Sequence, residues 1–193
     1  MANPKPFVVT FTAAAFIALT ACGSSSGSAG AGNAPATAGA EVNTGESIPV
    51  AYVDSRFHYR IDAPGHMTPN PDGTAAYVGA SERMEISIVQ GSRAADPSAT
   101  ASQDIKSLST SVTAFQQRSN PTIITLNGYH VTRFSYTWNA GTSTVTGKAI
   151  NLISVRYYVS KDAANLAVIT YGIVSNQFDP QGADDIVSTF QWQ

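Results

Sequence analysis

The chain has 193 residues, 43% of them hydrophobic and only 12% charged, with 11 Lys and Arg against 13 Asp and Glu. That length supports one ordinary domain and is short for two. A net charge of -2 with no block of like charge excludes the clustered basic surface that nucleic-acid binding requires. The single cysteine excludes an intramolecular disulfide, a dithiol redox pair and a cysteine-based metal centre.

The first segment is N-terminal. Lys5 precedes an apolar run from Phe7 to Ala21 that closes in small residues, the order of a charged n-region, an h-region and a cleavage site. The run is shorter than the about 20 residues needed to span a bilayer, which argues against an N-terminal membrane anchor. An ordinary secretory signal, with Cys22 incidental, is the other alternative. The four residues Leu19-Thr20-Ala21-Cys22 resemble the lipobox of bacterial lipoproteins. The resemblance implies that residues 1–21 are a lipoprotein signal peptide and that Cys22 is the lipid-attachment residue and mature N-terminus. Its thiol would carry a diacylglyceryl group through a thioether. The expected location is the extracytoplasmic face of the cell membrane. Gly23 lacks the aspartate associated with inner-membrane retention, so the outer membrane fits an envelope with two membranes.

Residues 23–47 are almost entirely Gly, Ser, Ala, Thr, Asn and Pro, with Val42 the only large aliphatic side chain. Such a stretch lacks the apolar area to offset its ordering entropy, so residues 22–47 read as a flexible tether with a reach of about 25–30 Å. From residue 48 to 193 the texture becomes that of one folded domain. Strands are expected over 56–61, where Phe57, Tyr59 and Ile61 alternate with polar residues, then over 74–79 and 84–90. In the third of these Met84, Ile86 and Ile88 share a face opposite Glu85 and Ser87.

After Asp96-Pro97 the period changes. Ala101, Ile105, Leu108, Val112 and Phe115 recur at helical spacing and predict a helix of about five turns with one apolar stripe. Asn120-Pro121 closes that region. Strands over 122–126 and 129–138 flank Asn127-Gly128, the pair best suited to a tight hairpin turn. Runs over 148–160 and 166–174 are apolar on both faces and read as central strands. Phe178, Ala183, Ile186, Val187 and Phe190 predict a closing helix, with Asp184 and Asp185 read as complements to its positive end.

Few residues propose chemistry. Gly23-Ser24-Ser25-Ser26-Gly27 matches the Gly-x-Ser-x-Gly pattern, yet it sits in the tether without the strand and helix that a nucleophile elbow needs, which argues against Ser25. His58, His66 and His130 are the only histidines, and none pairs with another at the spacing of a helical zinc site. An alternative assembles His58, Glu82, Glu85 and His130 from distant strands into a metal or hydrolase site. Tyr136, Trp138, Tyr157 and Tyr158 read as sheet packing, with a ligand cleft as the alternative.

Phe57-x-Tyr59 leading into Pro64-Gly65, the helix entry Ala95-Asp96-Pro97, the turn Leu126-Asn127-Gly128-Tyr129 and the closing Ile186-Val187-Ser188-Thr189-Phe190 together resemble the PsbP-like superfamily over about residues 50–193. The resemblance implies an α+β fold, an antiparallel sheet of six or seven strands flanked by helices. It also implies an accessory or binding protein without catalytic residues, cofactor or metal. The expectation is therefore a lipid-anchored, extracytoplasmic, non-enzymatic domain acting on an envelope complex or an apolar ligand, with no nucleic-acid partner. The competing expectation is an envelope hydrolase or metal-dependent enzyme.

Overall fold

The computed structural model describes residues 49–143 and 146–193. The expected signal peptide and tether, with Cys22 and Ser25, fall outside the described residues. In chain order the elements are β1 (Val50–Asp54), β2 (Tyr59–Ala63), β3 (Thr68–Pro69), β4 (Ala75–Val78) and β5 (Glu82–Gln90), then α1 (Pro97–Ser111). They continue with β6 (Gln116–Gln117), β7 (Thr122–Leu126), β8 (Tyr129–Thr142), β9 (Ala149–Asp162) and β10 (Asn165–Val174), and close with α2 (Pro180–Ser188) and β11 (Gln191–Trp192).

The main sheet is antiparallel and eight-stranded, in the order β3-β4-β5-β10-β9-β8-β6 with β7 also paired to β8. A second sheet has the order β1-β2-β11. The sequence expectation of an α+β antiparallel sheet flanked by helices is what the chain forms. β9 and β10 lie in the middle of the main sheet, as strands that are apolar on both faces must.

Each face of that sheet has its own core. On one, Met84, Ile86, Val155, Tyr157, Ile169 and Tyr171 pack against Tyr59, Ile61 and Ala63 of β2 and against Ala183, Val187 and Phe190 at α2. On the other, Phe134, Tyr136, Tyr158, Leu166 and Val168 pack against Ala94 and against Ala101 and Leu108 of α1. Both helices begin alike. Asp96 accepts a hydrogen bond from the Ala99 amide at 2.9 Å and Asp179 one from the Gln181 amide at 3.0 Å, each with Pro next in sequence, so a capping oxygen and a preset φ nucleate the first turn. The hairpin between β7 and β8 turns at Asn127 and Gly128, whose φ values of 48° and 80° are the left-handed pair of a type I′ turn.

Several boundaries differ from expectation. The strand expected from Arg56 starts instead at Tyr59, because Ser55 to His58 form a turn. Helix α1 is 15 residues long and stops at Ser111, since Val112 is already extended at φ -108° and ψ 128°. Val112 and Phe115 still pack against the same core from the loop that follows. The five-residue strand β1 and the two-residue strands β3, β6 and β11 lie outside the expected strands. Among the described residues no helix is long and apolar enough to cross a membrane.

Candidate functional site

The turn between β1 and β2 is built by Asp54. Its carboxylate is only 5% exposed and accepts the backbone N–H groups of Arg56 at 2.9 Å and Phe57 at 3.0 Å, which reverses the chain. His58 completes the turn at φ 57°, a left-handed conformation that histidine adopts more readily than most residues. Its carbonyl accepts the Gln193 amide at 2.7 Å, which ties the turn to the residue after β11. The far ends of three main-sheet strands arrive beside it. Lys161 comes from β9, Gln90 from the end of β5 and Asn165 from the start of β10, where Asn165 lies opposite both Gln90 and Asp162.

These parts enclose a concavity of about 210 Å³, whose walls include Arg56, Phe57, His58, Lys161 and Trp192. The Arg56 guanidinium, 46% exposed, lies 4.5 Å from the Phe57 ring centroid and 3.5 Å from Asp54 Oδ2. Lys161 Nζ stands 5.3 Å from the Trp192 ring centroid and donates to the Gln193 carbonyl at 3.0 Å. Trp192 is fixed by edge contacts with Phe190 at 5.2 Å and Tyr59 at 6.3 Å. Its Nε1–H is buried and has no acceptor among the described residues. Burial pushes the Tyr59 phenol far up from its ordinary value, with Tyr52 and Asp54 adding to it, so Tyr59 stays protonated and supplies no base. The arrangement is suited to holding a polar group.

A second polar cluster lies on the opposite face of the sheet. Asp104 of α1 receives Arg156 at 3.3 Å, Arg93 at 3.3 Å and the Tyr158 hydroxyl at 2.9 Å, while Arg156 Nε donates to Thr170 Oγ1 at 3.1 Å. Next to it the Arg83 guanidinium stacks 4.9 Å over Trp138, whose Nε1 donates to Ser154 Oγ at 2.9 Å. Ser154 faces Gly172 so closely that a Cβ there would meet its Oγ at 2.7 Å. The cluster clips α1 to the sheet.

The structure does not gather the residues of the metal or hydrolase alternative. His58 is in the concavity, His66 is exposed in the loop after Pro64-Gly65, and His130 is exposed on β8. Glu82 accepts the hydroxyls of Tyr171 at 2.7 Å and Tyr77 at 3.5 Å. Glu85 pairs with Thr170 on the face of α1. β10 and β9 separate β5 from β8, so about 14 Å keeps His130 from either glutamate. Among the described residues no three of His, Cys, Asp and Glu converge as metal ligands would.

Of two other readings, sheet packing by the aromatic residues holds and helix-end electrostatics at Asp184 changes. Tyr157 and Tyr158 are neighbours on a strand and point to opposite faces, and both are fully buried, so they line no common cleft. Asp184 is not chiefly a helix-end charge. It takes both carboxylate oxygens to Arg133 and accepts the Tyr157 hydroxyl at 2.8 Å, whereas the Asp185 carboxylate accepts only the Gln181 side-chain Nε2–H within its own helix at 2.8 Å. Sequence reading did not single out Arg56, Lys161 or Trp192. The one available signal was the aromatic pair Phe190 and Trp192 after a short helix, which places rings at the end of the core.

The described domain thus belongs to the α+β class, an antiparallel sheet with a helix on each face and a small polar concavity at one end. No family model matches the chain, and no curated protein matches it in sequence. Among solved structures, a protein from Bacteroides thetaiotaomicron VPI-5482 is similar with a TM-score of 0.52 at 7% identity, covering 76% of this chain and 49% of its own. This chain therefore spans about half the length of that neighbour. The Saccharomyces cerevisiae Ran-binding protein Mog1p is similar with a TM-score of 0.48 at 12% identity, over 75% of this chain and 95% of its own. LpqN of Mycobacterium tuberculosis, described as involved in cell envelope biogenesis, has a TM-score of 0.39 at 12% identity over 72% and 78% of the two chains.

Proposed function

We propose that the protein is a lipid-anchored, extracytoplasmic binding protein of the bacterial envelope and not an enzyme. The observation that carries the binding role is the concavity in which Arg56, His58 and Lys161 meet around the Trp192 indole. Its walls are mostly polar, which favours a polar or charged occupant over the apolar ligand weighed from the sequence beside an envelope complex. The membrane role rests on Leu19-Thr20-Ala21-Cys22, with acyl chains on Cys22 contributing about 0.8 kcal/mol per buried methylene. The tether over residues 22–47 then lets the domain meet a partner complex or a ligand near the membrane surface.

Phase partition in detergent tests the anchor. The wild-type chain is expected in the detergent-rich phase after metabolic labelling with an alkyne fatty acid, and to carry that label. Cys22→Ser is expected to lose the label. A serine variant labelled as fully as the wild type would contradict the anchor.

A further inference from the structure

We propose that the concavity between the Asp54–Tyr59 turn and the ends of β5, β9 and β10 binds a phosphate ester, held by Arg56 and Lys161 beside the Trp192 ring. This inference rests on the binding role assigned to the same concavity and names its ligand class.

The argument is an account of donors and acceptors. Lys161 spends one of its three N–H groups on the Gln193 carbonyl, and Arg56 reaches Asp54 with one end of its guanidinium. Trp192 Nε1–H spends none among the described residues. The acceptors nearby are largely taken. Asn165 Oδ1 receives Gln90 at 3.3 Å, both oxygens of Asp162 receive Asn165 or the Ala164 amide, and Asp54 Oδ1 receives two backbone amides. Gln90 Oε1 and a ring nitrogen of His58 are the side-chain acceptors left. Donors are thus in surplus, and no carboxylate lines the concavity among the described residues. The donors that an acceptor-rich guest can reach are the remaining N–H groups of Lys161 and of the exposed Arg56 guanidinium, while Trp192 Nε1–H, buried in the wall, senses the guest through its ring.

Geometry favours phosphate within that class. Arg56 comes from a turn and Lys161 from a strand end, so their donors approach from separate parts of the fold. Phosphate presents three acceptor oxygens and a charge that strengthens each bond, whereas a carboxylate presents two. The volume of about 210 Å³ lies below the roughly 300–1,000 Å³ of a drug-sized ligand site, so the concavity holds a head group and leaves the rest of the molecule outside.

The chain has two tryptophans, which gives the test its internal control. Trp138 lies on the opposite sheet face with its N–H already bonded to Ser154. With the full chain labelled with 15N at its indoles in nonionic detergent, two indole N–H signals are followed during titration with inorganic phosphate, glycerophosphate or short-chain phosphatidylglycerol. Chloride at matched ionic strength is the reference. The Trp192 signal should move saturably and the Trp138 signal should stay. Lys161→Gln and Arg56→Gln should each weaken the response about tenfold, and Lys161→Arg should restore most of it. An unmoved Trp138 signal in each variant shows that it is folded.

Response to the soluble phosphates identifies a free ester, and response to phosphatidylglycerol alone identifies a lipid head group. No movement of Trp192 with any phosphate, equal movement with chloride, or an unchanged response in both charge variants would overturn the proposal. Failure here leaves fatty-acid labelling at Cys22 untouched, so the two claims fall separately.

Discussion

Glu85 shows how a single side chain senses the fold. It lies in a row with Thr170 and Arg156 across three strands, half-buried beside α1. Burial raises its carboxyl above the ordinary value near 4.5, Arg156 and Arg83 pull it down less than burial lifts it, and Asp72 adds to the rise. A raised carboxyl favours the folded state when protonated. Its contribution is complete below the ordinary value and is lost as pH rises through the folded value. Glu85→Gln is therefore expected to melt higher than the wild type at about pH 7 and to lose that advantage at about pH 4. Thermal melts at both pH values check it; a variant no more stable at neutral pH would contradict the burial argument. Asp184 carries the lesson about reading residues from sequence. Adjacent aspartates in a short helix suggest helix-end electrostatics, and the ion pair that occupies Asp184 comes from Arg133, 51 positions away. Local spacing holds no trace of it.

At the scale of elements, α1 is the clearest case. Ala101 and Leu108 are buried at 0% and 2% exposure, on the stripe that their spacing predicts, while Ser107 and Ser111 face solvent. Leu108→Ala should cost about 2–5 kcal/mol, the range for emptying a packed site of that size. Ser107→Ala and Ser111→Ala should each stay within about 0.5 kcal/mol, because their hydroxyls are exposed. Chemical denaturation of the three variants measures this, and equal costs would mean that α1 is not docked through this stripe. The same element marks where periodicity stops informing. Apolar spacing continues to Phe115, but the helix ends at Ser111 because Val112 takes a strand conformation and packs from a loop. Asn127-Gly128 was readable because a type I′ turn demands positive φ at both positions, a need that belongs to those two residues alone. A strand of two residues, such as β6 or β11, has no period to read. Those short strands complete the sheet edges through pairing with distant partners.

At the scale of the molecule, the two cores follow from strands that are apolar on one face or both, which is why the architecture could be read before the structure. The concavity could not. Its walls run from Arg56 to Trp192 and are contributed by a turn and by strand ends that only the antiparallel order brings together. In the sequence Arg56 and Lys161 are ordinary surface charges, and Trp192 is a terminal aromatic. The proposed lipid anchor on Cys22 would join this domain to a membrane and decide where the concavity works. Mass measurement of the N-terminal peptide from the membrane-extracted chain tests it most directly. The expected result is a peptide that begins at Cys22 and carries a diacylglyceryl group on its sulfur. A peptide that begins elsewhere, or one with a free Cys22 thiol, would contradict the account.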